Sequence, residues 1–130
     1  MDLTQTGLFA LAERRLAWLD KRQEVLAQNI ANSDTPGFQA RDLAPFGAAL
    51  ARANVAPLVQ TQPNHLPGTQ GGVLRQSVAE RPKERAPDGN AVSVEDELMK
   101  VADTETSQEL VTNLYTKYLG LFRVALGRSQ

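Results

Sequence analysis

An all-α fold, with long N- and C-terminal helices packed as a coiled-coil-like pair around an extended proline-rich middle segment, is what this 130-residue sequence predicts. Three observations predict it. From Leu3 to Asn32 there is no proline and only one glycine, Gly7, and apolar residues recur on alternating three- and four-residue steps. The same rhythm returns after Ser93. Between them, residues 40 to 92 hold six of the seven prolines, the Gly71-Gly72 pair and few periodic apolar residues. The predicted division is residues 1–38 for the first helix and an elbow, 39–92 for a loop-rich middle, and 93–130 for the last helix.

In the first helix, Phe9, Ala12, Leu16, Leu19, Gln23, Leu26 and Ile30 form the stripe, widened on one side by Leu11, Trp18 and Val25. Glu13, Arg14, Asp20, Lys21, Arg22 and Glu24 lie largely away from it, with mixed signs.

The helix is expected to stop in Asn29-Ile30-Ala31-Asn32. Asparagine tolerates the left-handed backbone that closes many helices, and its amide can bind carbonyls left free in the last turn. Thr35-Pro36-Gly37-Phe38 then fits a type II turn, with proline presetting one angle and glycine supplying the positive φ at the next. That turn throws Phe38 back toward whatever the helix packs on.

The middle segment offers room for a short helix between Ala44 and Ala53, and for a short strand or hairpin between Gly72 and Ala79. It reads as extended, mobile or ordered by a partner. The turn signal Asp88-Gly89-Asn90 announces the last helix. Ser93 suits its N-cap, and Glu95, Asp96 and Glu97 suit a first turn whose free N–H groups favour negative charge. Val94, Leu98, Val101, Glu105, Gln108, Thr112, Tyr115, Leu119, Phe122 and Leu126 keep the stripe, widened late by Val111, Leu114, Tyr118 and Leu121. Gly127 and Arg128 end it. Gln23, Glu105 and Gln108 read either as exposed breaks in the stripes or as a polar layer that fixes helix register between subunits.

Composition excludes several function classes. Formal net charge is −1, from 14 basic and 15 acidic residues, which gives no electrostatic case for nucleic acid or an anionic membrane. The Arg14-Arg15 and Lys21-Arg22 pairs are interleaved with acids, so a DNA-recognition helix does not fit. Cysteine is absent, so neither a disulfide framework nor a thiolate metal site is available. The sole histidine, His65, sits in a proline-flanked loop without a carboxylate cluster, and Gly71-Gly72 lacks a phosphate-loop lysine. The sequence therefore predicts no catalytic, cofactor-binding or metal site. No apolar run approaches the roughly 20 residues of a membrane span, and the N-terminus lacks the features of a cleaved signal peptide.

The stretch Asn29-Ile30-Ala31-Asn32-Ser33-Asp34-Thr35-Pro36-Gly37-Phe38 also resembles a signature, N-I-A-N-x-x-T-x-G-[YF], of the bacterial flagellar rod/hook axial protein family. Phe38 stands where tyrosine is common, so no hydroxyl is available there. The Asp88-Gly89-Asn90-Ala91-Val92 approach to the last helix resembles the proximal-rod type within that family, and Tyr115-Thr116-Lys117-Tyr118-Leu119 differs from the R-x-Y-x-x-N ending of other rod types. The resemblance covers mainly residues 1 to 45 and 88 to 126. It implies a structural subunit of the periplasmic rod of the flagellar basal body, polymerising through its terminal helices and transmitting torque. It further implies export through the flagellum's own type III channel without a cleaved signal peptide. Implied partners are further copies of itself, FlgC-like and FlgF-like rod subunits, a FliE-like adaptor, the MS ring and the export gate. Neither a nucleic-acid partner nor direct membrane insertion is expected. The implied assembly residues are the stripe positions Phe9, Leu16, Leu19, Leu26, Ile30, Leu98, Val101, Tyr115, Leu119 and Phe122. The alternative is a monomeric helical-hairpin adaptor or export chaperone.

Two helices of about 30 residues, each about 45 Å long, bury one seam between them, and both stripes are too wide for one seam. The isolated subunit is therefore expected to be marginal and to gain order on assembly.

Overall fold

The computed structural model describes residues 7–53 and 77–127. Its elements are α1 (Gly7–Ala31), β1 (Arg41–Leu43), α2 (Phe46–Ala53), β2 (Ser77–Ala79) and α3 (Val94–Ala125). The predicted pair of long terminal helices is present. Phe9 of α1 meets Tyr115 and Phe122 of α3, Gln23 meets Glu105, and Asn29 meets Glu97, so the two helices run antiparallel. His65, Gly71-Gly72 and residues 3–6 lie outside the described residues.

The helix boundaries follow from local chemistry. Ser93 caps α3 in extended geometry, its Oγ accepting from the Asp96 N–H at 3.4 Å. At the other end, Gly127 takes φ 71° and donates its N–H to the Val124 carbonyl, the left-handed closure that glycine allows at lowest steric cost. The short helix expected between Ala44 and Ala53 is α2, whose first turn closes with the Ala49 N–H on the Pro45 carbonyl at 3.0 Å. Of the strand expected in 72–79, residues 72–76 lie outside the described residues, and the rest is β2, paired antiparallel with β1, Arg41 opposite Ala79 and Leu43 opposite Ser77.

The core is small and sits on the elbow half of α1. Trp18, Leu19, Val25 and Leu43 form one buried cluster, with Phe46 and Val111 packed against it. Trp18 gives its indole N–H to the Ala44 carbonyl at 3.0 Å, which satisfies the polar end of an otherwise buried ring. Of the residues flanking the α1 stripe, Trp18 and Val25 therefore bury toward β1 and α2 while Leu11 stays exposed, and the stripe itself faces α3.

On α3 the seam runs one residue away from the predicted stripe in its first half. Glu97, Thr104 and Val111 face α1, where the periodicity had placed Leu98, Glu105 and Thr112. The reason is polar: Glu97 finds hydrogen-bond partners on α1 and α3, and Thr104 returns its hydroxyl to the Lys100 carbonyl at 2.7 Å. Satisfied polar groups can occupy a seam that apolar counting assigns to leucine. Leu98 is 54% exposed.

Candidate functional site

The Asn29 to Phe38 elbow is where the chain's two sequence signatures meet. Thr35-Pro36-Gly37-Phe38 closes with the Phe38 N–H on the Thr35 carbonyl at 3.2 Å, and Gly37 holds φ 73°, as the predicted type II turn requires. Asn32 caps the helix as expected, its Nδ2 donating to the Gln28 carbonyl at 2.8 Å. Neither asparagine is left-handed, because every positive φ among the described residues belongs to glycine.

Asn29 departs from the predicted capping role. It is buried at 1% exposure and reaches away from its own helix end, accepting from the Arg41 N–H at 3.0 Å and donating to the Arg41 carbonyl at 2.6 Å and to Glu97 Oε2 at 2.7 Å. One amide thus pairs with the backbone of β1 and with the first turn of α3. Helical spacing explains why: Asn29 is three residues past Leu26 and faces inward, so its side chain cannot turn back onto its own carbonyls.

The loop before α3 clasps the elbow. Asn90 is buried and donates Nδ2 to the Asn32 and Thr35 carbonyls at 3.0 and 2.7 Å. Its Oδ1 accepts from the Val92 N–H, and Asp88 in turn accepts from the Asn90 N–H. Gly37 donates its N–H to the Asp88 carbonyl at 3.1 Å, and Ala91 donates to the Phe38 carbonyl at 2.9 Å. The approach is close: Gly89, at φ 84°, would place a Cβ 3.4 Å from the Gly37 Cα. By sequence, Asp88-Gly89-Asn90 reads as a turn and as part of a family resemblance, not as a clasp on the elbow. A turn asparagine beside a glycine gives no periodic signal that its amide spans to a segment more than fifty residues earlier.

Around this knot runs a chain of charges. Glu97 accepts from Lys100 at 2.9 Å, and Lys100 also meets both oxygens of Glu80 at 2.6 and 2.7 Å. Glu80 extends the hairpin beyond β2, donating its N–H to Ala40 and accepting from the Gln39 amide at 2.8 Å. Burial works against the Lys100 charge, but the hydrogen bonds to Glu80 and Glu97 outweigh it, and the pKa is raised. Nearby, Arg22 of α1 forks onto Asp42 with bonds of 3.0 and 2.9 Å, and that pairing, helped by Asp103 and Glu80, raises its pKa against partial burial. Glu97 was expected only as a helix-dipole acid. It serves that position and also ties α3 to α1.

The other predicted residues are placed as follows. Phe9, Leu19 and Leu26 are buried, and Leu16, Ile30, Phe38, Val101, Tyr115, Leu119 and Phe122 are half-buried. Ala31, Thr35, Pro36 and Gly37 are exposed, with Thr35 Oγ1 on Asn32 Oδ1 at 3.1 Å. Gln23 reaches Glu105 at 3.5 Å, whereas Gln108 pairs with Asp20 at 2.9 Å, so the three do not form one layer within the chain. Among the described residues no group of His, Asp and Glu could hold a metal ion, and no helix is long and apolar enough to cross a membrane.

The elbow lies within a region of similarity to known proteins. Residues 9–39 match the family described as "Flagella basal body rod protein". The chain is 33% identical to the flagellar basal body rod protein FlgB of Agrobacterium fabrum, over 85% of this chain and 86% of that one. It is 36% identical to FlgB of Proteus mirabilis, over 85% and 80%, and 34% identical to FlgB of Aeromonas hydrophila, over 98% of each. With identity at this level along most of its length, and with elbow and clasp both inside the shared region, the chain belongs to the FlgB family of flagellar basal body rod proteins.

Proposed function

We propose that this chain, a structural and non-catalytic rod subunit by its family, builds the proximal rod by docking the outer faces of its terminal helices onto neighbouring subunits. The observation that supports this reading is the inversion of α3. Its fully buried side chains are polar, Glu97 and Thr104, while Val94, Leu98, Met99, Leu110, Leu114, Tyr118, Leu121 and Val124 are exposed. Apolar surface on that scale marks a contact face. Non-closing contacts between such faces generate a filament.

In this reading the stripe residues Phe9, Leu16, Leu19, Leu26, Ile30, Tyr115 and Phe122 hold the pair together, and Leu98, Val101 and Leu119 work at or beside its outer surface. The elbow and clasp fix the middle segment against the helical pair, so that load passes through a rigid joint. The rod position would adjoin the MS ring and export gate, with FlgC-like, FlgF-like and FliE-like neighbours, and the subunit would leave the cell through the type III channel without cleavage.

In cells deleted for the native gene, the tagged chain should co-purify with basal bodies and restore motility. A Leu98→Asp variant should still be exported but should not enter rods. Complete rods in the deletion strain, or normal incorporation of Leu98→Asp, would overturn the reading.

A further inference from the structure

One surface of α1 carries a cation held without an acid. Arg15 lies flat against two rings, its guanidinium carbon 4.8 Å from the centroid of Trp18 and 5.0 Å from that of Phe46. Among the described residues no carboxylate pairs with it, although Lys21, Arg22, Lys83 and Lys100 all find one. Burial and the nearby Arg22 both disfavour its charge. One and two turns toward the N-terminus, on the same side of the helix, Leu11 and Leu8 are exposed. The patch is apolar and basic.

The first half of α3 is its complement. Glu95, Met99, Ala102, Thr106 and Glu109 follow one another at four- and three-residue steps along the face turned away from α1, with Leu98 on one flank and Asp103 on the other, where Asp103 also favours the charge of Arg22. Every exposed charged residue of α3 from Glu95 to Glu109 is acidic, and the one cation, Lys100, is turned inward onto Glu80 and Glu97. The apolar parts of the two surfaces cannot meet within a chain. Leu11 lies near the Phe9–Tyr115 end of the antiparallel pair and Met99 near the Asn29–Glu97 end, about 27 Å apart along the helices.

We propose that the Arg15 platform, with Leu8 and Leu11, receives the Glu95–Leu98–Met99–Asp103 face of a second copy of this chain. This inference rests on the rod reading and names the surfaces through which one copy contacts the next. The occupant is a copy because both complementary halves stand on one chain at separated positions. Such a contact is head-to-tail and leaves a free half at each end, so it propagates. Opposite charges set the register, and the exposed leucines and methionine supply the buried area.

The absence of cysteine makes the test direct. Leu11→Cys combined with Met99→Cys, expressed in cells deleted for the native gene and oxidised, should give a ladder of disulfide-linked copies on a non-reducing gel. Leu8→Cys with Leu98→Cys is the second pair, should the first fail to fold. Adding Arg15→Glu should cut the ladder at least fivefold, and adding Glu95→Arg and Asp103→Arg to that variant should restore at least half of it. The proposal falls if neither pair ladders in cells with complete rods, if a single-cysteine variant dimerises, or if the cross-link goes to a different rod protein. Complete rods in the deletion strain itself would instead overturn the rod reading.

Discussion

The two ends of the helical pair are built on opposite principles. At the elbow end, Asn29, Asn90 and Glu97 are buried and hydrogen-bonded to three other segments, and the Trp18–Leu19–Val25–Leu43 cluster lies just beyond them. At the far end, Phe9 packs on Tyr115 and Phe122, with ring centroids 5.1 and 5.6 Å apart, while Leu114, Leu121 and Val124 stand in solvent. The first end is closed on its inner face by the chain's own contacts, with Val94, Leu98 and Met99 left exposed on its outer face. The second is left open, which suits a surface completed by neighbours. Directional hydrogen bonds make a joint of unique geometry, whereas non-directional apolar contact tolerates a change of partner.

The largest effect should come from Asn29→Leu. It leaves the Arg41 N–H, the Arg41 carbonyl and Glu97 Oε2 without the Asn29 amide, with Lys100 remaining on Glu97 Oε1, and should cost about 3 to 5 kcal/mol. Urea denaturation followed by circular dichroism would check it, and a loss below about 1 kcal/mol would mean that the knot does not hold this end. Leu26→Ala, at a side chain with 0% exposure, should cost about 2 to 5 kcal/mol in the same assay. Phe122→Ala at the open end should cost only about 1 kcal/mol, since that ring is half-exposed before assembly. Equal losses at the two positions would erase the contrast between the ends.

Turn geometry sharpens the comparison further. Gly37→Val should cost about 1 to 3 kcal/mol. Open space surrounds the missing Cβ, so the penalty comes from the positive φ and not from a clash. Pro36→Ala should cost less than about 1 kcal/mol, because alanine adopts the same angle and mainly loosens the unfolded chain. If rods assemble normally with Gly37→Val, or if Pro36→Ala is the worse variant, the elbow is not a fixed joint.

Smaller still is the alkaline response of Lys100. Its pKa is raised in the folded chain, so its contribution to stability is complete below the unfolded value near about 10.4 and is lost as pH climbs through the higher folded value. The urea midpoint should hold to about pH 10 and then fall. The fall should be shallower in Glu80→Gln, which removes one of the ammonium's partners. Leu121→Ala should change the stability of the isolated chain by less than about 0.5 kcal/mol. Its effect should appear only as reduced rod incorporation, measured by the amount of subunit recovered with basal bodies.

How much was legible depended on the kind of interaction. The helix spans, the Ser93 cap, the Gly127 stop and the Thr35–Phe38 turn rest on local backbone preferences, and each lies where residue choice alone placed it. The Asn29–Arg41, Asn90–Thr35 and Lys100–Glu80 ties join residues distant in sequence, and short polar side chains carry no periodic trace of such partners. Arg15 on Phe46 was hidden for the same reason, whereas its contact with Trp18 is a local i, i+3 pair.

By itself, the sequence determined that two amphipathic helices flank a proline-rich middle and that a proline-glycine elbow closes the first of them, because steric limits on φ and the 3.6-residue period act within a few neighbours. Only the tertiary structure decided which face of α3 turns inward. On α3 that choice went to Glu97 and Thr104 over Leu98, since a buried polar group with satisfied partners can outcompete an apolar one that other chains can cover.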